Sequence, residues 1–234
     1  MESINKVIKS INNMATIERV IYQYRMPYAL KVVESIGRSR NKDFVIDSKN
    51  KFVYENMIRW VHGDCDMKCI DPQTKQVIPG RLNAGIYIAG NVGTGKSWVL
   101  DIMSAYCSID NVFFIVNGKR VKLQWKNIRT DAICSKYTEK GIIDYPKKIS
   151  VIGFQDLGTD SEPIESMYMG NRISVLKQIL EHRGDHTDQI TLITSNLPMN
   201  HQRLIDRYGD RVSSRLNEMC NYFELNGKDR RKTN

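Results

Sequence analysis

Between the apolar run Ile86–Ala89 and a helical periodicity beginning at Ser97 lies the segment Gly90-Asn91-Val92-Gly93-Thr94-Gly95-Lys96-Ser97. It fits the spacing G-x-x-x-x-G-K-[ST] at every position, and no other feature constrains the fold as strongly. The glycines let the backbone curl until successive N–H groups point at one oxyanion. The helix that follows turns its positive end toward the same point. In this pattern Lys96 neutralises the β- and γ-phosphates of a nucleotide and the Ser97 hydroxyl ligates Mg²⁺. Such a loop needs a strand before it and a helix after it, and both are present in the pattern of residues.

From residue 85 onward, short β-rich runs alternate with helical stretches. The runs are Ile86–Ala89, Val112–Val116, Ile149–Phe154, Thr191–Thr194 and a weaker Tyr222–Leu225. Helical patterns cover Ser97–Tyr106 and Ile173–His182. Strands alternating with helices predict an α/β fold with a five-stranded, mostly parallel sheet flanked by helices. Ligands of such sheets bind at the carboxyl ends of the strands.

Residues 1 to about 80 read differently. Ile4, Val7, Ile8 and Ile11 recur at helical spacing, as do Ile17, Val20, Ile21 and Tyr24. Pro27 punctuates, and further helices are expected over Ala29–Ile36 and Asn50–Val61. Asp71-Pro72 and Pro79-Gly80 mark a turn-rich connection. The expected organisation is therefore a small helical region over 1–80 and a nucleotide-binding domain over 81–234. With 41% hydrophobic and 26% charged residues, 234 residues suffice for a packed core and exclude long-chain disorder. No window approaches 18 apolar residues, and the first residues lack an apolar secretory core, so neither a membrane span nor a signal is expected. Five scattered cysteines point to reduced thiols and a cytoplasmic setting. His62, Cys65 and Cys69 offer three metal ligands but no fourth at zinc-finger spacing, and two incidental thiols in a loop are the simpler reading.

The third run ends in Phe154-Gln155-Asp156-Leu157-Gly158. Metal-assisted phosphoryl transfer uses a carboxylate near the metal and a group that orients the attacking water. Here the first acidic position is Gln155, which reaches Mg²⁺ only as a neutral acceptor, through a metal-bound water. Asp156 is left to orient or deprotonate the water, or to take part of the metal role. Asp160 and Glu162 stand nearby as lesser substitutes. The fourth run ends in Thr194-Ser195-Asn196-Leu197-Pro198, where Asn196 is either a γ-phosphate contact or a turn residue. Arg211 and Arg215 lie four apart, on one helix face, from which an arginine reaches a neighbour's γ-phosphate; Arg231 follows near the end. The net charge of +9 is compatible with nucleic acid. The segment Lys119–Arg129 joins five basic residues to Trp125, which either stacks on a base or packs beneath a solvated basic edge.

Taken in order, Gly90–Ser97, Gln155-Asp156-Leu157-Gly158, Thr194–Pro198, Gly209-Asp210-Arg211-Val212-Ser213-Ser214-Arg215 and Asn226–Arg231 resemble the AAA+ ATPases of the bacterial and phage helicase-loader family (DnaC-like). The resemblance spans about residues 83 to 231. It implies ATP and Mg²⁺ as cofactors and a homo-oligomer, with Asn196 as sensor 1, Arg215 (with Arg211 as runner-up) as an arginine finger and Arg231 as the sensor 2 arginine. It also implies contact with single-stranded DNA and delivery of a replicative helicase gripped by the N-terminal region. Gln155 departs from the family's metal-associated acid. Two alternatives remain: a transposition-helper ATPase of the IstB type, and an adaptor gated by nucleotide with little turnover.

Overall fold

The computed structural model describes residues 17–227, 229 and 230, so the periodicity at Ile4–Ile11 and Arg231 lie outside the described residues. In chain order the front part holds β1 (Ile17–Arg19), α1 (Met26–Arg40), α2 (Lys51–His62), β2 (Lys68–Ile70) and β3 (Val77–Pro79). Next come β4 (Gly85–Ala89), α3 (Lys96–Asp110), β5 (Phe113–Val116), β6 (Lys119–Lys122), β7 (Asn127–Arg129), α4 (Thr130–Lys140) and α5 (Asp144–Lys148). The remainder holds β8 (Val151–Leu157), β9 (Ser166–Tyr168), β10 (Asn171–Ile173), α6 (Val175–Gly184), β11 (Ile190–Ser195), α7 (Gln202–Tyr208), α8 (Asp210–Met219) and β12 (Cys220–Glu224).

The central sheet has the order β12-β4-β11-β8-β7, with every pair parallel. All residues of β4 and β11 are buried, as a sheet covered on both faces requires. Alternation along β4 splits the core in two. Ile86 and Ile88 join a cluster with α1, α2 and α3, while Tyr87 and Ala89 join one with α4, α6 and α8. Val33 of α1 and Trp60 of α2 belong to the same cluster as Ile86 and Leu192, so residues before and after position 80 share one apolar layer.

Two expectations need correction. Val112–Val116 does contain a strand, but β5 sits in a separate antiparallel sheet of order β1-β5-β6. Its place in the central sheet is taken by β7, three residues paired with β8 from Asn127 opposite Gly153 to Arg129 opposite Gln155. The helical spacing at Ile17–Tyr24 is coincidental. Ile17 pairs with Val116 as a strand, and no helix covers residues 20 to 25. β1 is held from its other end as well. The buried Arg19 guanidinium lies 4.9 Å from the Trp60 ring centroid and donates to the Trp60 and Val61 carbonyls. Pro27 opens α1 rather than ending it, since its missing N–H costs nothing in a helix's first turn.

Arg183 of α6 is wholly buried and spends its donors on oxygen. It bonds Thr191 Oγ1 (2.8 Å) and the carbonyls of Pro146 (3.1 Å), Ile149 (2.8 Å) and Ile190 (2.7 Å). Burial pushes this guanidinium down to about 9, which still leaves it charged at neutral pH. It fastens α6 to the start of β11 and to the segment leading into β8.

Trp60 links the front helices to the sheet. Its indole N–H donates to the Ala84 carbonyl at 2.9 Å, and its ring meets Trp125 edge-on at 6.4 Å. Trp60→Ala empties a fully buried site and is expected to lower unfolding free energy by about 3–5 kcal/mol. Urea denaturation followed by circular dichroism measures this.

Candidate nucleotide site

At the carboxyl ends of β4, β8 and β11 the surface opens into a cleft of about 730 Å³. Its floor is the glycine loop from Val92 through Ser97, with Gln155, Asp156 and Asn196 on one side. The loop follows its sequence. Gly93 and Gly95 adopt φ of 80° and 97°, in the left-handed region that favours glycine. A Cβ at Gly93 would stand 1.9 Å from Asp229 Oδ1, so a larger residue there would push that side chain aside.

Lys96 is buried, and its ammonium donates to the Gly90 carbonyl at 2.8 Å, the Asn91 carbonyl at 2.7 Å and Asn196 Oδ1 at 2.9 Å. The two strand-end motifs separated by 100 residues therefore meet directly. Asp156 is brought in by a bulge. Ile193 of β11 faces Phe154, but Ser195 faces Leu157, so Gln155 and Asp156 together oppose Thr194. Asp156 takes φ 63° at the bulge, a conformation acidic residues tolerate better than most, and its N–H donates to Thr194 Oγ1 at 3.1 Å. A bulge of this kind re-aims a side chain at a strand end. The Asp156 carboxylate meets Arg129 at 3.3 Å, and Arg129 also grips Asp131 through two bonds of 2.7 and 3.1 Å. Those Asp131 bonds, with Asp156 adding to them, push the Arg129 guanidinium above its ordinary value.

Ser97, Asp156 and the Gln155 amide all line the cleft as hard oxygen donors, the set that Mg²⁺ accepts. Glu162 is a different matter. It is buried and bonded to the Gly158 N–H (3.1 Å), Arg207 (3.1 Å) and Tyr208, outside the cleft lining. Asp160 is exposed and pairs with Arg203 at 2.9 Å, so neither acid substitutes for Gln155.

Several cleft residues escaped sequence reasoning. Arg230 lines the cleft, its N–H donates to the Gly93 carbonyl at 2.9 Å, and its guanidinium pairs with both Asp47 oxygens at 2.9 Å. Its only signal in the sequence was adjacency to Arg231. Phe44 and Tyr54 line the opposite wall. Phe44 stacks on Trp98 at 5.9 Å and meets Tyr54 edge-on at 5.9 Å, an apolar surface suited to a flat ring. Nothing local marks these residues, because the fold brings them in from another segment.

Arg215 and Arg211 lie outside the cleft lining. Both engage Asp185, at 2.7 and 2.9 Å, and Arg215 also meets Glu218 at 2.8 Å. Trp125 is buried against Trp60, which excludes stacking on a base, while Lys119 and Arg120 stay exposed on the β5–β6 hairpin. His62 is buried between Tyr24, stacked at 4.4 Å, and the Tyr106 hydroxyl at 2.8 Å. Cys69 is buried toward the Pro79 carbonyl and Cys65 is exposed. Among the described residues, the potential ligand group is Asp64, Cys65 and Asp66 rather than the His62, Cys65 and Cys69 set.

The strand order, the glycine loop between β4 and α3, and the strand-end polar residues define an α/β P-loop fold of the AAA+ type. The chain shares this fold with a protein provisionally described as a primosome component from Streptococcus pyogenes serotype M3. That likeness has a TM-score of 0.52 and 19% identity over 85% of this chain and 97% of the other. The DnaC helicase loader aligns with a TM-score of 0.48 and 14% identity, over 79% of this chain and 94% of that one. The replication initiator DnaA, bound to AMPPCP and single-stranded DNA, aligns with a TM-score of 0.48 and 14% identity, over 80% of this chain and 49% of that one. No protein-family profile matches the sequence. No curated protein matches it either. Among the described residues no helix is long and apolar enough to cross a membrane.

The Asp47–Arg230 pair is open to direct titration. Partial burial pushes the Asp47 carboxyl up, but Arg230 and the Lys49 and Asn50 amides overcome this and hold it below its ordinary value. Its contribution is present above the ordinary carboxylate pKa of about 3.9 and is lost as pH falls through the lowered value. Arg230→Ala is expected to move the Asp47 titration upward, read by carbon NMR of the carboxyl.

Proposed function

We propose that this chain is an AAA+ ATPase that binds ATP with Mg²⁺ in the cleft and loads a replicative helicase onto DNA. The carrying observation is the convergence of the glycine loop, Lys96, Asp156 and Asn196 on one cleft at the strand ends. The Lys96 ammonium, now resting on two loop carbonyls, turns to the β- and γ-phosphates, which offer charged acceptors in exchange for neutral ones. The amides of Gly90 to Gly95 and the start of α3 hold the remaining phosphate oxygens. Asn196, released from Lys96, contacts the γ-phosphate or the attacking water. Asp156 orients that water and accepts its proton. Ser97 and Asp156 would hold Mg²⁺, with Gln155 reaching it through water, and the bound ion would neutralise charge on the phosphates.

Arg215 serves a neighbouring subunit as its arginine finger, leaving Asp185 on assembly into a homo-oligomer, and Arg231 senses the phosphates within the same subunit. Residues 1–80 form the helicase-gripping region and residues 81–234 the ATPase domain. Single-stranded DNA runs along a basic surface of the assembly, in the cytoplasm of a bacterium or an infected host. A second reading, an adaptor gated by nucleotide with slow turnover, is favoured by one observation: the metal-side position carries the neutral Gln155 in place of an acid.

Lys96→Ala removes the charge on which phosphate binding rests and is expected to weaken ATP binding by at least about 10- to 100-fold, the worth of a charge-assisted hydrogen bond. Isothermal calorimetry measures this, and unchanged affinity would sink the phosphate-loop assignment. Tagged full-length protein is expected to capture a hexameric helicase from its host when ATP is present. Capture of a transposase instead would transfer the reading to a transposition helper.

A further inference from the structure

Gln155 stands where metal-assisted phosphoryl transfer uses an acid, yet a carboxylate lies against it. Asp101 sits on α3 one turn beyond Ser97, and residues four apart share a helix face. Its Oδ1 accepts hydrogen bonds from Gln155 Nε2 at 3.1 Å and from Asn127 Nδ2 at 2.6 Å. Its Oδ2 meets the half-exposed Arg40 at 3.3 Å. An ionised carboxylate only accepts, so the end of the Gln155 amide that faces it is the NH₂. The carbonyl oxygen, Oε1, is thereby left as the end available to the cleft that Gln155 and Ser97 both line.

We infer that Asp101 is a positioning residue of the Mg²⁺ site: it supplies, through the Gln155 amide, the negative charge that the strand position lacks. This rests on the nucleotide reading of the cleft. Donation to a charged acceptor polarises the amide and makes Oε1 a stronger acceptor. The pair is also mutually adapted. An acid at 155 would stand about 3 Å from Asp101, a repulsive placement for two carboxylates. Asn127 completes the clamp, and the strand is built to admit it, since a Cβ on Gly153 would lie 2.0 Å from Asn127 Oδ1.

The test is calorimetric titration of the full chain with ATP, with and without Mg²⁺. The unaltered protein is expected to bind ATP more tightly when Mg²⁺ is present. Asp101→Asn should keep the Mg²⁺-free affinity within about twofold and lose about tenfold of the Mg²⁺ enhancement, the worth of one charge-assisted hydrogen bond. The double variant Asp101→Asn/Gln155→Asp, which moves the charge onto the strand, should restore the enhancement. An enhancement unchanged in Asp101→Asn overturns the inference, and so does a folded double variant that fails to recover it. A parallel loss of affinity with and without Mg²⁺ assigns Asp101 a purely structural role and overturns it equally. Failure of the unaltered protein to bind ATP at all would instead remove the nucleotide reading on which the inference stands.

Discussion

An ammonium group taken out of water must be ringed by oxygen, and much of the site's arrangement follows from meeting that need at Lys96. Among the described residues, hydrogen-bond partners reach it from two places, the carbonyls of Gly90 and Asn91 and the amide of Asn196. The first two require the loop to fold back on itself. The third requires β11 to end beside β4, which the parallel pairing of Ser195 with Ala89 provides. One residue later the chain turns, with the Leu197 N–H on Ser195 Oγ at 3.0 Å. On the other flank of β11, the bulge opposite Thr194 delivers Asp156 to the same opening. A single cation and one irregularity in register thus gather residues from three strands.

The same economy explains which features were legible in the sequence. Four of the five central strands announce themselves as apolar runs because a sheet buried on both faces has no polar side to show. The fifth, Asn127-Ile128-Arg129, is short, polar and preceded by Lys126, so the more apolar Val112–Val116 drew the assignment to itself. That segment is apolar for another reason: Phe114 is buried and Val116 half-buried in the layer shared with α1 and α2, while β5 pairs antiparallel to β1 and β6. Lys96, Gln155, Asp156 and Asn196 were readable because each lies in a motif tied to a strand end. Phe44, Arg129 and Arg230 were not, since their membership in the cleft depends on how remote segments pack. Arg19 and Arg183 were likewise invisible. A buried arginine bonded to main-chain carbonyls looks, in sequence, like any surface arginine.

The front helices share the chemistry of the site more closely than their distance in sequence implies. Arg40, at the end of α1, touches the carboxylate that holds Gln155. Asp47, in the turn before α2, holds Arg230 at the cleft. Phe44 packs on Trp98, two residues past Lys96. Any displacement of α1 together with the connection to α2 therefore acts on the site through three contacts, two ionic and one aromatic.

The last strand also has a bearing on the glycine loop. After β12 the Leu225 N–H donates to the Ala89 carbonyl at 2.8 Å, and the Asp229 side chain lies against Gly93. The Arg230 N–H donates to the Gly93 carbonyl at 2.9 Å. The glycine loop is thus braced from outside its own sequence, so a change in the segment after β12 bears on the loop's backbone without altering any residue of the motif.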